Sequence, residues 1–255
     1  MKEKVVDKRW IQHYNKNEIR TGQSFPRWLR NAMEHDTSKN LKQVVYEELK
    51  RRIVTCEILP GSMLTEEMLC ESLNASRTPV RDAVSRLEQE NLVSILPKKG
   101  IRVHRVSLNN VEELFVTRLF VEPQLVLTYG NRISDETYCR FLNEFRRTDC
   151  TREELYAQDS EFHMIFPQAS NNRFILTYYD IMSAQTMRYR ILSDQDRRTE
   201  VSQEEHCEIC IQCLRGNWEK AAQAMRTHLE NSKMSIIDYV LRFNRDAHNI
   251  FQEKG

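Results

Sequence analysis

Apolar residues between residues 41 and 75 recur with the three- and four-residue spacing of short amphipathic helices. A first helix is predicted from the stripe Leu41, Val44, Val45, Leu49 and Ile53. It stops before Pro60-Gly61, because a Pro-Gly pair forces a turn. A second short helix is predicted after a cap at Thr65, with these side chains turned inward: Met68, Leu69 and Leu73. Asn74 is well placed as its left-handed C-terminal residue.

A third predicted helix opens at Ser76 and separates an apolar stripe from a basic face. The stripe is Val80, Ala83, Val84 and Leu87, and the opposite face carries Arg77, Arg81, Ser85 and Arg86. Ser76 or Thr78 can cap the first turn, where Pro79 is tolerated because the first amides have no intrahelical acceptor. Arginines and hydroxyls at the positive end of a helix dipole suit phosphates and base edges, although an ordinary surface helix with a basic face has the same pattern.

Two short strands are predicted downstream, at Leu92–Leu96 and Ile101–Val103, joined by Pro97-Lys98-Lys99-Gly100. Their alternation would place one apolar face on the helices: Val93, Ile95, Ile101 and Val103. The hairpin tip then offers Lys98 and Lys99 to a phosphate backbone, as a wing does. Helix, tight turn, helix and hairpin in this order predict a winged helix-turn-helix.

The chain from about 107 to 245 has helical periodicity and no strand-like alternation of useful length. Breaks are predicted at Gly130-Asn131, Thr148–Thr151, Ser170–Asn172, Ser193–Ser202 and Arg215–Asn217. The predicted fold class is therefore mainly α, with an N-terminal winged helix-turn-helix at 41–106 and a C-terminal antiparallel all-α bundle of about six helices at 107–245. Residues 1–40 are predicted to be a polar extension, either a partly disordered docking arm or an arm that reaches a partner subunit or DNA, and residues 246–255 a C-terminal tail.

Three of the bundle helices carry polar residues on their apolar stripes. Asp159 and His163 share a stripe with two phenylalanines, His206 lies on a stripe with an isoleucine and two cysteines, and His228 lies on or beside a third stripe. A buried carboxylate without compensation is costly. These side chains are therefore either core residues satisfied by neighbours or the ligands of one divalent cation.

Two further features of the bundle have a simple structural explanation. Arg118 lies on an apolar stripe one turn before Glu122, so the two can form an internal ion pair. Cys207, Cys210 and Cys213 have a spacing that metal sites use, but a continuous helix turns Cys207 away from the other two. We expect core cysteines there.

Composition and charge narrow the class of protein. The 255 residues are 40% hydrophobic and 29% charged, which suits a globular protein with a sizeable core. A net charge of +1 excludes a generally polycationic protein but not DNA binding, because a cationic surface can be local. With 7 cysteines, an odd number, and no apolar signal core at the N-terminus, we expect a cytoplasmic protein without disulfides or a membrane segment.

The winged-helix region resembles the DNA-binding domain of GntR-family bacterial transcription regulators. The shared motifs are Leu59-Pro60-Gly61, Leu64 with Glu66, Ser76-Arg77-Thr78-Pro79-Val80-Arg81-Asp82-Ala83, Arg86-Leu87-Glu88, and Pro97-Lys98-Lys99-Gly100 with Val103. The departures are Asn91 for the usual Gly, and Asp82 and Val84 where Glu and Leu are common. The resemblance implies DNA contacts by Arg77 and Arg81 and a wing turn at Gly100. With the neighbouring hydroxyls and lysines, the predicted DNA-binding residues are Ser76, Arg77, Thr78, Arg81, Lys98, Lys99 and Gly100.

The bundle is similar to the ligand-binding domain of the FadR-like, or FCD, branch of these regulators. The motifs are Asp159-Ser160-Glu161-Phe162-His163, Ala169-Ser170-Asn171-Asn172, Glu205-His206, Gly216-Asn217-Trp218-Glu219-Lys220-Ala221-Ala222 and Ala224-Met225-Arg226-Thr227-His228-Leu229. Many members bind a divalent metal through an Asp-x3-His pair and two later histidines, and those positions are filled here by Asp159, His163, His206 and His228. The resemblance also implies that Arg118 grips an acidic effector.

The sequence thus predicts a homodimeric DNA-binding transcription regulator with a palindromic operator, and not an enzyme. A small organic acid would act at a divalent metal ion, which is zinc, nickel or manganese. One alternative is a metal-dependent enzyme that uses the Asp/His site, but no additional general base is apparent and the winged helix would be unexplained. The other alternative is a constitutive DNA binder with a structural metal.

Overall fold

A computed structural model describes residues 41–193 and 196–252 of the chain. Within these ranges the chain forms nine α-helices, one 3-10 turn and three short strands. The head comprises α1 (Leu41–Val54), β1 (Met63–Leu64), α2 (Glu66–Leu73), α3 (Arg77–Gln89), β2 (Val93–Leu96) and β3 (Gly100–Val103). The bundle comprises α4 (Leu108–Tyr129), the 3-10 turn Gly130–Arg132, α5 (Asp135–Phe145), α6 (Arg152–Ser170), α7 (Arg173–Ser193), α8 (Asp196–Leu214) and α9 (Trp218–Gln252).

The head is a winged helix-turn-helix, as predicted, and its helix ends follow from local capping. The Thr65 side chain accepts a hydrogen bond from the Met68 amide at the start of α2, and Asn74 ends that helix with a left-handed φ of 47°. Ser76 occupies the N-cap position of α3, without a capping hydrogen bond from its side chain. The three strands form an antiparallel sheet in the order β1-β3-β2, with Val93 opposite Val103 and Leu64 opposite Ile101.

Two burial predictions in the head are wrong. Met68 is 52% exposed because α2 is only eight residues long and docks mainly through Leu69. Ile95 is 46% exposed, whereas its partner Ile101 is buried. The reason is the strand order: β3 is the central strand, while β2 is an edge strand whose far end runs toward the hairpin tip. The two-residue β1 was not predicted, because two residues are too few to show alternation.

The remaining helices, α4 to α9, confirm the predicted all-α bundle of six helices. The long helices α4 and α9 pack together, and α8 packs against both α9 and α5. Their shared core contains stacked and edge-on aromatic rings from α5 and α6: Phe141, Phe145, Phe162 and Phe166. The break predicted at Ser193–Ser202 is too long, since α8 already begins at Asp196. The last helix runs to Gln252, into the segment predicted as a tail, and the predicted extension at 1–40 lies outside the described residues.

The head rests on α7 of the bundle through apolar packing and hydrogen bonds. Ala184, Met187 and Ile191 of α7 belong to the same buried cluster as the helices and strands of the head. Gln185 donates to the backbone oxygens of Glu90 and Asn91 at 3.2 and 3.1 Å. The buried Arg188 side chain donates to the backbone oxygen of His104, just after the wing. Consequently α7 fixes the position of the head relative to the bundle.

Candidate metal centre and nucleic-acid interface

Four of the predicted site residues come together in the middle of the bundle. Asp159 and His163 lie one turn apart on α6, and α8 and α9 contribute His206 and His228. Each offers one ligand atom, and these atoms all lie within 4.8 Å of one another. All four side chains are buried, as the helical periodicity predicted.

The three imidazoles meet through their Nε2 atoms. His163 Nε2 lies 3.2 Å from the Nε2 atoms of both His206 and His228. Asp159 Oδ1 lies 3.4 Å from His206 Nε2 and 3.9 Å from His163 Nε2. One carboxylate oxygen and three imidazole nitrogens therefore surround a common point.

Carboxylates on the outer side of two imidazoles fix the tautomers. His163 Nδ1 lies 2.6 Å from Glu122 Oε2, and His228 Nδ1 lies 2.8 Å from Glu205 Oε2. An ionised carboxylate only accepts hydrogen bonds, so each Nδ1 carries a proton, and in the neutral form of each ring the lone pair lies on Nε2. Two lone pairs that face each other at 3.2 Å cannot hydrogen-bond to each other. The donor set therefore fits a cation, and Glu122 and Glu205 orient two of the imidazoles as carboxylates commonly do beside metal-binding histidines.

The local charges favour the metal-binding protonation states. Burial lowers the pKa values of His206 and His228 well below the ordinary value, so these rings are neutral near pH 7. For Asp159, burial alone would raise the pKa, but the contact with Arg190 and the nearby histidines lower it to about 2. Burial likewise opposes ionisation of Glu122, and Arg118 and His163 outweigh it and lower its pKa to about 2. Both carboxylates are thus ionised.

Arg118 lies beside this centre, paired with the carboxylate that holds His163. Its Nε donates to Glu122 Oε1 at 2.6 Å, which is the internal ion pair that the spacing allowed. Both side chains also line a small cavity with Asp159, His163 and four side chains of α7: Tyr179, Met182, Ser183 and Thr186. Arg118 is therefore part of the wall of a cavity that reaches the metal ligands.

Sequence reasoning missed two residues that contact the ligand set. Arg190 of α7 contacts Asp159, and Glu205 precedes His206 on α8 yet bonds to His228 of the next helix. Their roles depend on how three helices pack, which no local pattern reveals. Cys210 and Cys213 lie in the aromatic core and Cys207 packs against it.

Six of the seven predicted DNA-binding residues are exposed on the head. The residues at the start of α3 and at the hairpin tip are exposed: Ser76, Arg77, Thr78, Arg81, Lys98 and Lys99. Two acidic residues of α2 hold the arginines: Arg81 Nε donates to both oxygens of Glu66 at 2.8 and 2.9 Å, and Arg77 Nη2 donates to Glu67 at 3.2 Å.

Gly100 begins β3 at the wing turn with a φ of +108°. A Cβ atom there would lie 2.5 Å from the backbone oxygen of Leu64 in β1. Glycine is required at this position both by its conformation and by the close approach of the neighbouring strand. The wing turn is thus where the resemblance placed it.

Comparison with known proteins gives two family matches and several relatives. Residues 41–103 match the family described as "Bacterial regulatory proteins, gntR family", and residues 113–231 match the "FCD domain". The HTH-type transcriptional repressor RspR of Escherichia coli K12 is 26% identical over 203 residues, covering 77% of this chain and 89% of that protein. A transcriptional regulator in an unstable DNA locus of Streptomyces ambofaciens is 28% identical over 224 residues, covering 86% and 93% of the two chains.

Solved structures show the same fold at lower sequence identity. A transcriptional regulator GntR from Rhodococcus sp. RHA1 superposes with a TM-score of 0.67 at 22% identity, covering 77% of this chain and 97% of that one. McbR/YncC from E. coli gives a TM-score of 0.66 at 17% identity, covering 80% of this chain and 99% of that one.

In residues 41–193 and 196–252, no helix is long and apolar enough to cross a membrane. With a DNA-binding head and an effector-binding FCD domain, this chain belongs to the GntR family of transcription regulators, in its FadR-like branch.

Proposed function

We propose that this regulator binds a divalent metal ion in its FCD domain and that a small carboxylate effector at the metal controls operator binding. The observation that carries the proposal is the convergence of three Nε2 atoms and Asp159 Oδ1 within 4.8 Å. The ligands would be Asp159, His163, His206 and His228. In this proposal the protein is a regulator and not an enzyme.

The donor set supports zinc, nickel or manganese. Imidazole and carboxylate ligands suit these borderline ions, and four protein ligands leave positions open on an octahedral ion. When bound, the metal would supply Lewis-acid positions for water or an effector carboxylate. Glu122 and Glu205 would hold two of the imidazoles in the ligating tautomer.

Arg118 would bind the acidic effector beside the metal. It is buried, it is charged, and it lines the cavity that also reaches Asp159 and His163. Because Glu122 already neutralises Arg118, the effector would share the guanidinium with that carboxylate. An effector carboxylate between the metal and Arg118 would therefore be held from two sides.

Helix α7 supplies a route from this cavity to the DNA-binding head. Tyr179 and Thr186 line the cavity, while Gln185 and Arg188 of the same helix bond to backbone oxygens of the head. An effector that shifts α7 would move the head with it. The effector regulates DNA binding only if it binds the protein with different affinity before and after the head has moved.

On DNA, α3 would enter the major groove. Arg77 and Arg81 would contact bases and phosphates, and Ser76 and Thr78 would contact phosphates at the helix start. Lys98 and Lys99 would bind the backbone at the wing. These six side chains are all exposed.

The regulator would act as a homodimer on a palindromic operator, since a two-fold protein matches a two-fold site. An open groove of about 950 Å³ between α4 and α9 supports this proposal. Its apolar wall includes Val116, Phe120 and Leu127, and Phe120 is 78% exposed. An exposed apolar surface of this kind marks an interaction site, and we propose a second copy of the chain as its occupant.

Thermal unfolding of metal-stripped protein tests the metal and effector proposals together. Zinc, nickel or manganese at about a hundredfold above Kd should raise Tm by roughly 5–10 °C, and one acid from a panel of small carboxylic acids should raise it further. The double variant His206→Ala, His228→Ala should lose the metal response. His104→Ala, in the head, should keep it.

A parent protein without any metal response would refute the metal site and leave the DNA-binding role in place. Turnover of one of the acids would favour the enzyme alternative. Operator affinity that no acid changes, despite a metal response, would favour a constitutive DNA binder with a structural metal.

A further inference from the structure

A second cavity, lined mainly by polar side chains, lies next to the proposed metal centre. Its empty volume is about 370 Å³, part of it open to solvent. Two arginines, Arg190 and Arg198, form its wall together with four serines, a tyrosine and an isoleucine. No acidic side chain is among the described residues that line it. Its lining therefore offers cations and hydroxyls to whatever enters.

Arg198 has hydrogen-bonding capacity left over. Its Nη2 atom bonds to Glu205 at 2.6 Å and to Ser232 at 2.8 Å. Its Nε and Nη1 atoms are buried and have no hydrogen-bond partner among the described residues. A buried guanidinium nitrogen without a partner is unfavourable, and guanidinium groups bind carboxylate and phosphate strongly. The unpaired nitrogens of Arg198 thus favour an anion in this cavity.

Each arginine of the cavity is linked to a proposed metal ligand, Arg190 directly and Arg198 through Glu205. Arg190 contacts Asp159 Oδ2, and the other oxygen of that carboxylate faces His206. Arg198 contacts Glu205, which in turn bonds to His228 Nδ1. An anion in the cavity would compete with Asp159 for Arg190 and with Glu205 for Arg198.

We infer that this cavity is an anion site in its own right, which binds a carboxylate or phosphate group that carries neighbouring hydroxyls. Its occupancy is coupled to the metal, and this part of the inference rests on the proposed metal site. A metal ion bound to Asp159 neutralises the carboxylate that competes for Arg190, so the anion binds more tightly. By reciprocity, the anion increases the affinity for the metal by the same factor.

The lining also defines the class of ligand. The two arginines select an anionic group, and the four serines favour hydroxyls beside it. Phosphorylated or carboxylated compounds that carry hydroxyl groups have this chemistry.

Titration calorimetry with three probes tests the site: acetate, malonate and inorganic phosphate, each with metal-free and zinc-loaded protein. Malonate and phosphate should bind the metal-free protein, and zinc should tighten their binding by roughly five- to tenfold. Arg198→Gln should weaken phosphate binding by about tenfold or more and still bind zinc. Arg140→Gln, an exposed arginine on α5 that pairs with Glu144 and Glu161, is the matched control and should change neither affinity.

Equal phosphate affinity in the parent protein and in Arg198→Gln would overturn the inference. So would anions that bind only the zinc-loaded protein, because the metal alone would then hold them. If Arg198→Gln does not fold, Ser202→Glu places a carboxylate in the cavity, and retained phosphate binding would refute the site. If the parent protein binds phosphate through Arg198 but binds no zinc, the anion site stands and the proposed metal centre is refuted.

Discussion

Gly100 carries the wing turn, and its surroundings make it the least replaceable glycine of the head. We expect Gly100→Ala to destabilise the protein by about 2–4 kcal/mol, because the new Cβ atom adds a clash with the backbone of β1 to the cost of a positive φ. The matched control is Gly216→Ala, where φ is +69° but nothing lies within 4 Å of the new atom. That variant should cost only about 1 kcal/mol. Urea unfolding of both variants measures the difference, and equal losses would contradict the close approach of Leu64.

Arg81 is exposed, and its ion pair with Glu66 lies on the surface. The Arg81 side chain should therefore contribute to DNA affinity and little to the stability of the fold. We expect Arg81→Ala to weaken DNA binding at least about tenfold while Tm stays unchanged. Fluorescence anisotropy on a site selected from random DNA by the parent protein measures the affinity. Arg132→Ala, an exposed arginine of the bundle, is the control. Unchanged affinity in Arg81→Ala would place the DNA-contacting surface elsewhere.

The burial of the four proposed metal-binding residues could be predicted from the sequence, because helical spacing fixes which side of a helix each residue occupies. The contacts of Arg190 and Glu205 could not, because they depend on helix packing. The prediction that Ile95 is buried was wrong for a similar reason. Alternation shows which face of a strand a residue occupies, but not whether the strand is central or at the edge of the sheet.

Helix α7 both lines the proposed effector cavity and bonds to the head, and one substitution can separate these two roles. Gln185→Ala removes the hydrogen bonds to the Glu90 and Asn91 carbonyls without touching the metal ligands. We expect the variant to bind zinc as the parent protein does, but to lose most of the change in operator affinity that metal and acid produce. Anisotropy with and without metal and acid measures this change. Thr177→Ala, on the exposed side of α7, is the control, and a normal response in Gln185→Ala would exclude this route of coupling.

The start of α2 was predicted from its cap at Thr65, and three other helices begin at caps of the same kind. Thr65, Ser107, Ser134 and Thr151 each accept a hydrogen bond from the backbone at the start of a helix. The start of α8 was missed because its first turns are polar and charged, so apolar periodicity begins only further along the helix. The docking of α7 on the head was also beyond prediction, since it joins segments about 90 residues apart.

For the whole molecule, the groove between α4 and α9 determines the proposed assembly. Phe120→Glu places a charge in the centre of the exposed apolar wall, so we expect the dimer to dissociate at concentrations where the parent protein stays dimeric. Light scattering after size-exclusion chromatography measures the mass. Phe174→Glu is the control, because Phe174 is equally an exposed aromatic but lies at the start of α7. A monomeric parent protein, or a dimeric Phe120→Glu variant, would contradict the proposed interface.

Because the head and α7 share one buried cluster, we expect the two domains to unfold together. Ala184, Met187 and Ile191 complete the apolar core that α1, α3 and the sheet begin. A fragment that ends at residue 106 would expose the apolar surface that these three side chains cover. The linker that follows the wing separates the two family matches, but we do not expect it to separate two parts that fold independently. Exchanging heads between regulators of this kind would succeed only when the matching face of α7 is exchanged as well.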